Sequence, residues 1–180
     1  MAKDVKLKLI SELMKNSRRS DRELAKALGI SQPTVSRMIK KLEKEGIIQS
    51  YSMLPDFSKI GFSILAFTFA RLEDQASPEE LKKARENVRH VLKKQSSTAI
   101  IGMSGLGCDA DRVLVTFHED YSAYSDFLRF IRGQQLIRVD EVKSFVVDLT
   151  DTSHFLPLNL TGLAGYIIKN EALSKRMSKP

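Results

Sequence analysis

Tryptophan is absent from the 180 residues, and cysteine occurs once, at Cys108. A single thiol excludes an internal disulfide and suits a reducing compartment, so a cytoplasmic protein is expected. Histidine is scarce too: the chain has three. His90, His118 and His154 are far apart in sequence, and no His/Cys pair has the spacing of a metal site. No metal, cofactor or catalytic set is therefore expected, and the chain does not read as an enzyme. It also lacks any run of the ~20 apolar residues that a membrane span needs. The first twenty residues are too charged for a secretory leader. No membrane partner is expected.

Acid is the other shortage, and it is uneven. Lys and Arg number 29 against 22 Asp and Glu, a net charge of +7. Residues 1–60 hold 13 of the bases and 7 of the acids, leaving 16 and 15 for the other 120 residues. Nearly all the excess positive charge thus lies in the first third, where it can meet phosphate.

What stands in that third is informative. Ser20 with Glu23 three residues later forms a capping box, and Leu24, Ala25 and Leu28 follow on one helical face. Gly29 ends the helix at a left-handed turn, and Ile30 plugs that turn. Ser31 caps a second helix with Pro33 in its first turn. Val35, Met38, Ile39 and Leu42 recur at i, i+3, i+4 and i+7, which predicts the side that packs inward. Gln32, Thr34, Ser36, Arg37, Lys40, Lys41 and Lys44 are left on the other sides. A preceding helix with Val5, Leu9, Leu13 and Met14 as its apolar stripe completes a three-helix unit, and residues 47–54 alternate loosely enough for a strand or wing. The pattern is a winged helix-turn-helix, whose second helix lies in the major groove of double-stranded DNA.

The candidate DNA-binding residues are Arg18, Arg19, Ser31, Gln32, Pro33, Thr34, Ser36, Arg37, Lys40, Lys41 and Lys44. Those near the helix start are short enough to approach base edges, and Arg37 reaches far enough for a bidentate contact with guanine. Lys40, Lys41 and Lys44 suit phosphates. A solvated lysine face on an amphipathic helix pair is the competing reading. The turn glycine, the two caps and the Gln-Pro-Thr opening weigh against it.

The remainder reads as strand (63–71), helix (77–94), strand (98–103), loop (104–111), strand (112–118), helix (121–131) and strand (142–149). The first helix opens on a second capping box, Ser77 with Glu80, and its seam is Leu81, Ala84, Val88, Val91 and Leu92. This β-α-β-β-α-β order predicts a ferredoxin-like sheet with two helices on one face. The expected fold class is therefore α+β. Its divisions are a winged helix-turn-helix over 1–55, a hinge over 56–62, a ferredoxin-like sensing and dimerisation domain over 63–150, and an extension over 151–180. Strands one and three offer apolar residues to both sides, so a second copy of the domain is expected on the uncovered face. A twofold homodimer would also suit a pseudo-palindromic operator. In the extension, Thr161 caps a short helix with Leu163, Tyr166, Ile167 and Leu173 on one face, expected to pack on the second domain or its mate.

Over residues 4–62 the run RSDRELAKALGISQPTVSRMIKKLEKEGII, a following proline and Ile60-Gly61-Phe62 closely resemble the Lrp/AsnC (feast/famine) family of transcription regulators. The resemblance is looser over 63–149. It implies DNA binding, dimers joined through their sheets that assemble into tetramers or octamers, and an amino-acid effector beside the loop between the second and third strands. Carried over, that loop runs from Gly102 to Asp111, with Ser104, Gly105, Gly107 and Asp109 inside it. The chain departs from the family in two places. The usual Gly-x-x-Asp step is one residue longer between Gly107 and Asp111, although Gly105 and Asp109 share that longer spacing. Val139-Asp140-Glu141-Val142 replaces the usual Pro-Gly-Val. Two other readings remain open: an enzyme on the same scaffold, as in sirohaem decarboxylases, and an architectural DNA-binding protein without an effector.

Overall fold

Two helices joined at a left-handed glycine form the centre of the N-terminal unit, the first of them capped by Ser20. The computed structural model describes residues 2–72, 77–83, 86, 98–133, 139–153 and 159–170. Helix α1 spans Ala2–Lys15, α2 Asp21–Leu28 and α3 Gln32–Lys44. Both halves of the predicted capping box form: Ser20 Oγ accepts from the Glu23 amide, and the Glu23 carboxylate accepts from the Ser20 amide at 2.7 Å. Gly29 takes φ 67°, where a side chain would be strained. Leu9, Leu13, Leu24, Ala25, Val35 and Leu42 make the core, with Ile30, Met38, Ile39 and Ile48 packed around it.

The chain divides into two compact units. One is Met1–Leu54 together with Phe155–Pro180, and the other is Pro55–His154. The extension was expected on the sheet domain or its mate. Its helix α5 (Thr161–Lys169) instead packs on α1. Ser11, which has no exposed surface, donates its hydroxyl to the Ala164 carbonyl at 2.9 Å. Leu7, one turn earlier on the same face of α1, is buried as well. Helix α1 therefore buries two faces. The α5 seam also differs from expectation. Ala164 is buried and Ile167 and Ile168 are half-buried, while Leu163 and Tyr166 are exposed. Leu160 holds the cap position, and the Asn159 side chain accepts from the Thr161 amide. Leu173 lies outside the described residues.

In the second unit β1 (Ile64–Leu72), β2 (Ala99–Gly107), β3 (Ala110–His118) and β4 (Val139–Asp148) form an antiparallel sheet in the order β2-β3-β1-β4. Helix α4 (Tyr121–Arg132) is capped by Asp120, whose side chain accepts from the Ala123 amide. Residues 78–83 are helical, and the Ser77–Glu80 capping box is present. The expected seam residues Ala84, Val88, Val91 and Leu92 fall outside the described residues.

Register sorts the sheet's two faces. Ala66, Thr68, Ala70, Thr116 and His118 share one face, and His118 meets the Tyr124 and Phe127 rings of α4 at 5.4 and 5.2 Å. Burial holds the His118 imidazole below its usual pKa, against a smaller opposing effect of Glu119. The other face carries Phe67, Phe69, Val113, Phe117, Phe145, Ile101 and Met103. Phe57 stacks on Phe117 at 3.9 Å, with Phe62 beside them. The segment 56–62, read as a hinge, is thus docked on this sheet through a turn of 3-10 helix, Ser58–Ile60. Further along the same face Phe145 and Met103 keep 65% and 62% of their surface exposed.

Two turns separate Val35 from Leu42, and both are fully enclosed. Leu42→Ala should destabilise the N-terminal unit by about 2–5 kcal/mol, the range for emptying a packed leucine site. Urea unfolding followed by the helical circular-dichroism signal measures this, and a loss below about 1 kcal/mol would contradict the packing.

Candidate nucleic-acid interface

The face that α3 shows to solvent follows from the face it buries. With Val35, Met38, Ile39 and Leu42 turned inward, Pro33, Arg37, Lys40 and Lys44 lie opposite, and Gln32, Ser36, Thr34 and Lys41 flank them. Gln32, Pro33, Arg37, Lys40, Lys41 and Lys44 are exposed, while Thr34 and Ser36 are half-buried. The Arg37 guanidinium is drawn back toward the helix start by Nε donating to the Pro33 carbonyl at 3.3 Å. That places the long cationic side chain beside the short polar residues of the first turn.

Ser31 stands at the cap with extended backbone, as expected, but its side chain does not cap an amide. Its Oγ pairs with the Thr34 hydroxyl at 2.8 Å. The first turn of α3 contains no acid. Amides without a side-chain acceptor, together with the positive end of the helix dipole, leave this end suited to an anion.

The basic residues are not equivalent. Lys41 reaches Glu45 at 3.6 Å, and Lys6 approaches the same carboxylate at 3.9 Å. Among the described residues Lys40 and Lys44 have no acidic partner within ion-pair distance. Arg18 is exposed, whereas Arg19 is half-buried and paired with Glu12. The Lys15 hydrogen bond, opposed by partial burial and aided by the charges of Lys15 and Arg19, holds the Glu12 carboxyl below the usual range. Arg19 is therefore engaged in holding the loop before α2.

Residues 47–54 form no strand, so the expected wing strand is absent. The segment is held by side chains instead. Ser17 Oγ donates to the Ser52 carbonyl at 3.2 Å, and the Tyr51 hydroxyl donates to Glu43 at 2.9 Å. Sequence periodicity carries no signal for such ties. The second one sits beside Ser36 on the flank of α3, where a bare Glu43 would repel phosphate.

The Gly102–Asp111 stretch is a hairpin rather than a loop. Gly102, Ser104, Gly105 and Gly107 lie within β2, Asp109 is in the turn, and Asp111 belongs to β3. Cys108 and Asp109 both adopt left-handed backbone, φ 54° and 53°, as a two-residue turn between twisted strands requires. Register slips by one residue between Ser104 and Gly107, so β2 bulges there. The Asp109 carboxylate accepts from Lys143 of β4 at 3.2 Å. No group of metal-ligating side chains occurs among the described residues.

Fold and helix chemistry together define a DNA-binding regulator with a winged helix-turn-helix and an α+β second domain. Residues 3–49 match the family described as winged helix-turn-helix DNA-binding. The leucine-responsive regulatory protein of Klebsiella pneumoniae is 28% identical over 77% of this chain and 80% of its own. An AsnC family transcriptional regulator from Agrobacterium tumefaciens superposes with TM-score 0.69 at 24% identity, covering 88% of this chain and 97% of that one. The Neisseria meningitidis transcriptional regulator NMB0573, solved with L-Met, gives TM-score 0.67 at 24% identity with the same coverage, 88% and 97%. The chain is thus similar to helix-turn-helix transcriptional regulators that carry the leucine-responsive and AsnC family names. No helix among the described residues is long and apolar enough to cross a membrane.

Partial burial, the Glu43 hydrogen bond and the charges of Glu43 and Asp21 push the Tyr51 phenol up to about 12. A folded pKa above the unfolded value of about 10 stabilises fully below pH 10, and the gain is lost as pH rises toward 12. The stability gap between wild type and Tyr51→Phe should therefore be constant up to about pH 9 and shrink above pH 10. Urea midpoints at pH 8, 9 and 10.5 test it, and a gap that does not change across the series would count against the Tyr51–Glu43 tie.

Proposed function

We propose that the protein acts as a homodimer that sets two α3 helices into successive major grooves of a pseudo-palindromic operator. The observation that carries this is the rotational setting of α3. Its enclosed residues leave Gln32, Pro33, Ser36, Arg37, Lys40 and Lys44 on the open side, with the net charge of the chain gathered in the same unit. Ser31, Thr34 and Lys41 border that surface, and Arg18 supplies a phosphate contact from the loop before α2. Arg19 contributes through Glu12 to the placing of that loop. The exposed aromatic and aliphatic face around Phe145 and Met103 supports pairing of two sheets and further assembly to tetramers or octamers. The curated relative is named as a regulator, which supports a non-enzymatic role.

An amino acid is the proposed effector. The meningococcal regulator was solved with L-Met. The hairpin where the resemblance puts the effector offers Gly102, Ser104, Gly105, Gly107, Asp109 and Asp111. A side chain at Gly105 or Gly107 would meet nothing within 4 Å, so the backbone there is open to a ligand. The Asp109–Lys143 pair presents both charges that a zwitterion needs. In a thermal-shift screen of the twenty amino acids, at least one should raise the melting temperature, and Asp109→Ala should abolish its effect. A flat response across the set would leave an effector-free architectural protein as the better reading.

Arg37→Ala should cost about 1–3 kcal/mol on the selected operator and relax preference at one base pair. Lys40→Ala should weaken all duplexes alike and reduce the salt slope by about one unit. Fluorescence anisotropy with selected and random duplexes over a salt series reads both. Equal loss on both duplexes for Arg37→Ala would remove that residue from base readout.

A further inference from the structure

The helical unit holds more than the whole cationic excess of the chain once the extension is counted with it. Met1–Leu54 and Phe155–Pro180 together carry 16 Lys and Arg against 7 Asp and Glu, whereas Pro55–His154 carries 13 against 15. Part of this excess comes from an unexpected quarter. From Lys169 onward the extension adds Lys169, Lys175, Arg176 and Lys179 against Glu171 alone.

This basic run starts from a fixed point on the helical unit. Helix α5 is held on α1 by the enclosed Ser11–Ala164 hydrogen bond at 2.9 Å. Its last residue, Lys169, is exposed and has no acidic partner among the described residues. Residues 171–180 lie outside the described residues, but their length and the seat of α5 set what they can reach. Helix α1 shares a core with α3 through Leu9, Leu13, Val35 and Leu42. At the usual 8–10 Å between packed helices, the axes of α5 and α3 are therefore no more than about 20 Å apart. The nine steps from Asn170 to Lys179 span at most about 32 Å. That is long enough to pass α3 and meet the phosphates bordering the groove it enters.

The helical unit has little to hold such a run to itself. Of its seven acids, Glu12 is paired with Lys15 and Arg19, and Glu45 takes Lys41 and Lys6. Glu23 accepts from the Ser20 amide, and Glu43 from the Tyr51 hydroxyl. We propose that the run from Lys169 to Lys179 is a second DNA-contact element: an arm, anchored on α1 by α5, that binds phosphates beside the recognition groove while α3 reads the bases. This rests on the DNA-binding reading given above and adds a site to it. A duplex suits the run because each phosphate met by a Lys or Arg releases condensed counterions, a gain that scattered carboxylates do not offer. Phosphate contacts carry no base information, so the arm acts on every duplex alike.

The test uses the full-length protein carrying Lys169→Gln, Lys175→Gln, Arg176→Gln and Lys179→Gln together, and a second form in which the three lysines are replaced by arginine. Fluorescence anisotropy over a salt series follows binding to an operator selected from a random pool and to a random duplex. Neutralisation should weaken both duplexes alike, by on the order of tenfold or more at about 50 mM salt, and lower the slope of log affinity against log salt by about two to four units. The arginine form keeps every charge and should bind as wild type does. If the neutralised form matches wild type in affinity and slope while Arg37→Ala still weakens the operator, the arm is overturned and the DNA-reading role of α3 stands. A loss confined to the selected operator, or an equal loss in the arginine form, overturns it as well. If wild type binds neither duplex at low salt, the DNA-binding reading falls and takes the proposal with it.

Discussion

Everything presented by the N-terminal unit depends on which side of α3 is enclosed. Val35 and Leu42 lie two turns apart and leave no surface exposed, so rotation of the helix about its axis would expose one or both. Burying a side chain of this size contributes about 1.5–3 kcal/mol, a large fraction of the stability of a small domain. A charged surface alone would not aim itself. The apolar contacts hold Arg37 and Lys40 outward, and the Arg37–Pro33 hydrogen bond adds direction along the helix.

The same division of labour appears in the sheet. Small and polar residues, Ala66, Thr68, Ala70 and Thr116, lie beneath the helix side, where little space separates the layers. Aromatic rings gather on the reverse, where Phe57 and Phe62 cover one end at Phe117. The segment leading out of the helical unit is thereby part of the sheet's covering, with Gly61 at φ 104° turning the chain into β1.

Much of this was legible in residue order because the signals are local. The capping boxes at Ser20 and Ser77, the turn at Gly29 and the 3.6-residue period of α3 each fit within a dozen residues. So did the strand and helix order of the second domain, although its first helix is described only over its opening turns. What was not legible depended on distant partners. Gly105 and Gly107 suggested a loop, yet strand pairing with β3 carries β2 through to Gly107, with a bulge absorbing the extra residue. The second face of α1 went unread because its central member is a serine. Ser11 breaks the apolar pattern, and its burial makes sense only beside Ala164. Arg19 looked free for DNA because its partner, Glu12, lies two turns away across a loop.

The Ser11–Ala164 hydrogen bond joins residues 153 positions apart. Ribosomes add roughly 5–20 residues per second, so α1 waits on the order of ten seconds or more after emerging before the Ala164 carbonyl that Ser11 bonds exists. During translation its second face stays wet, and the nascent helical unit is one helix short. Each molecule completes its DNA-reading unit only after the segment around Ala164 has been made.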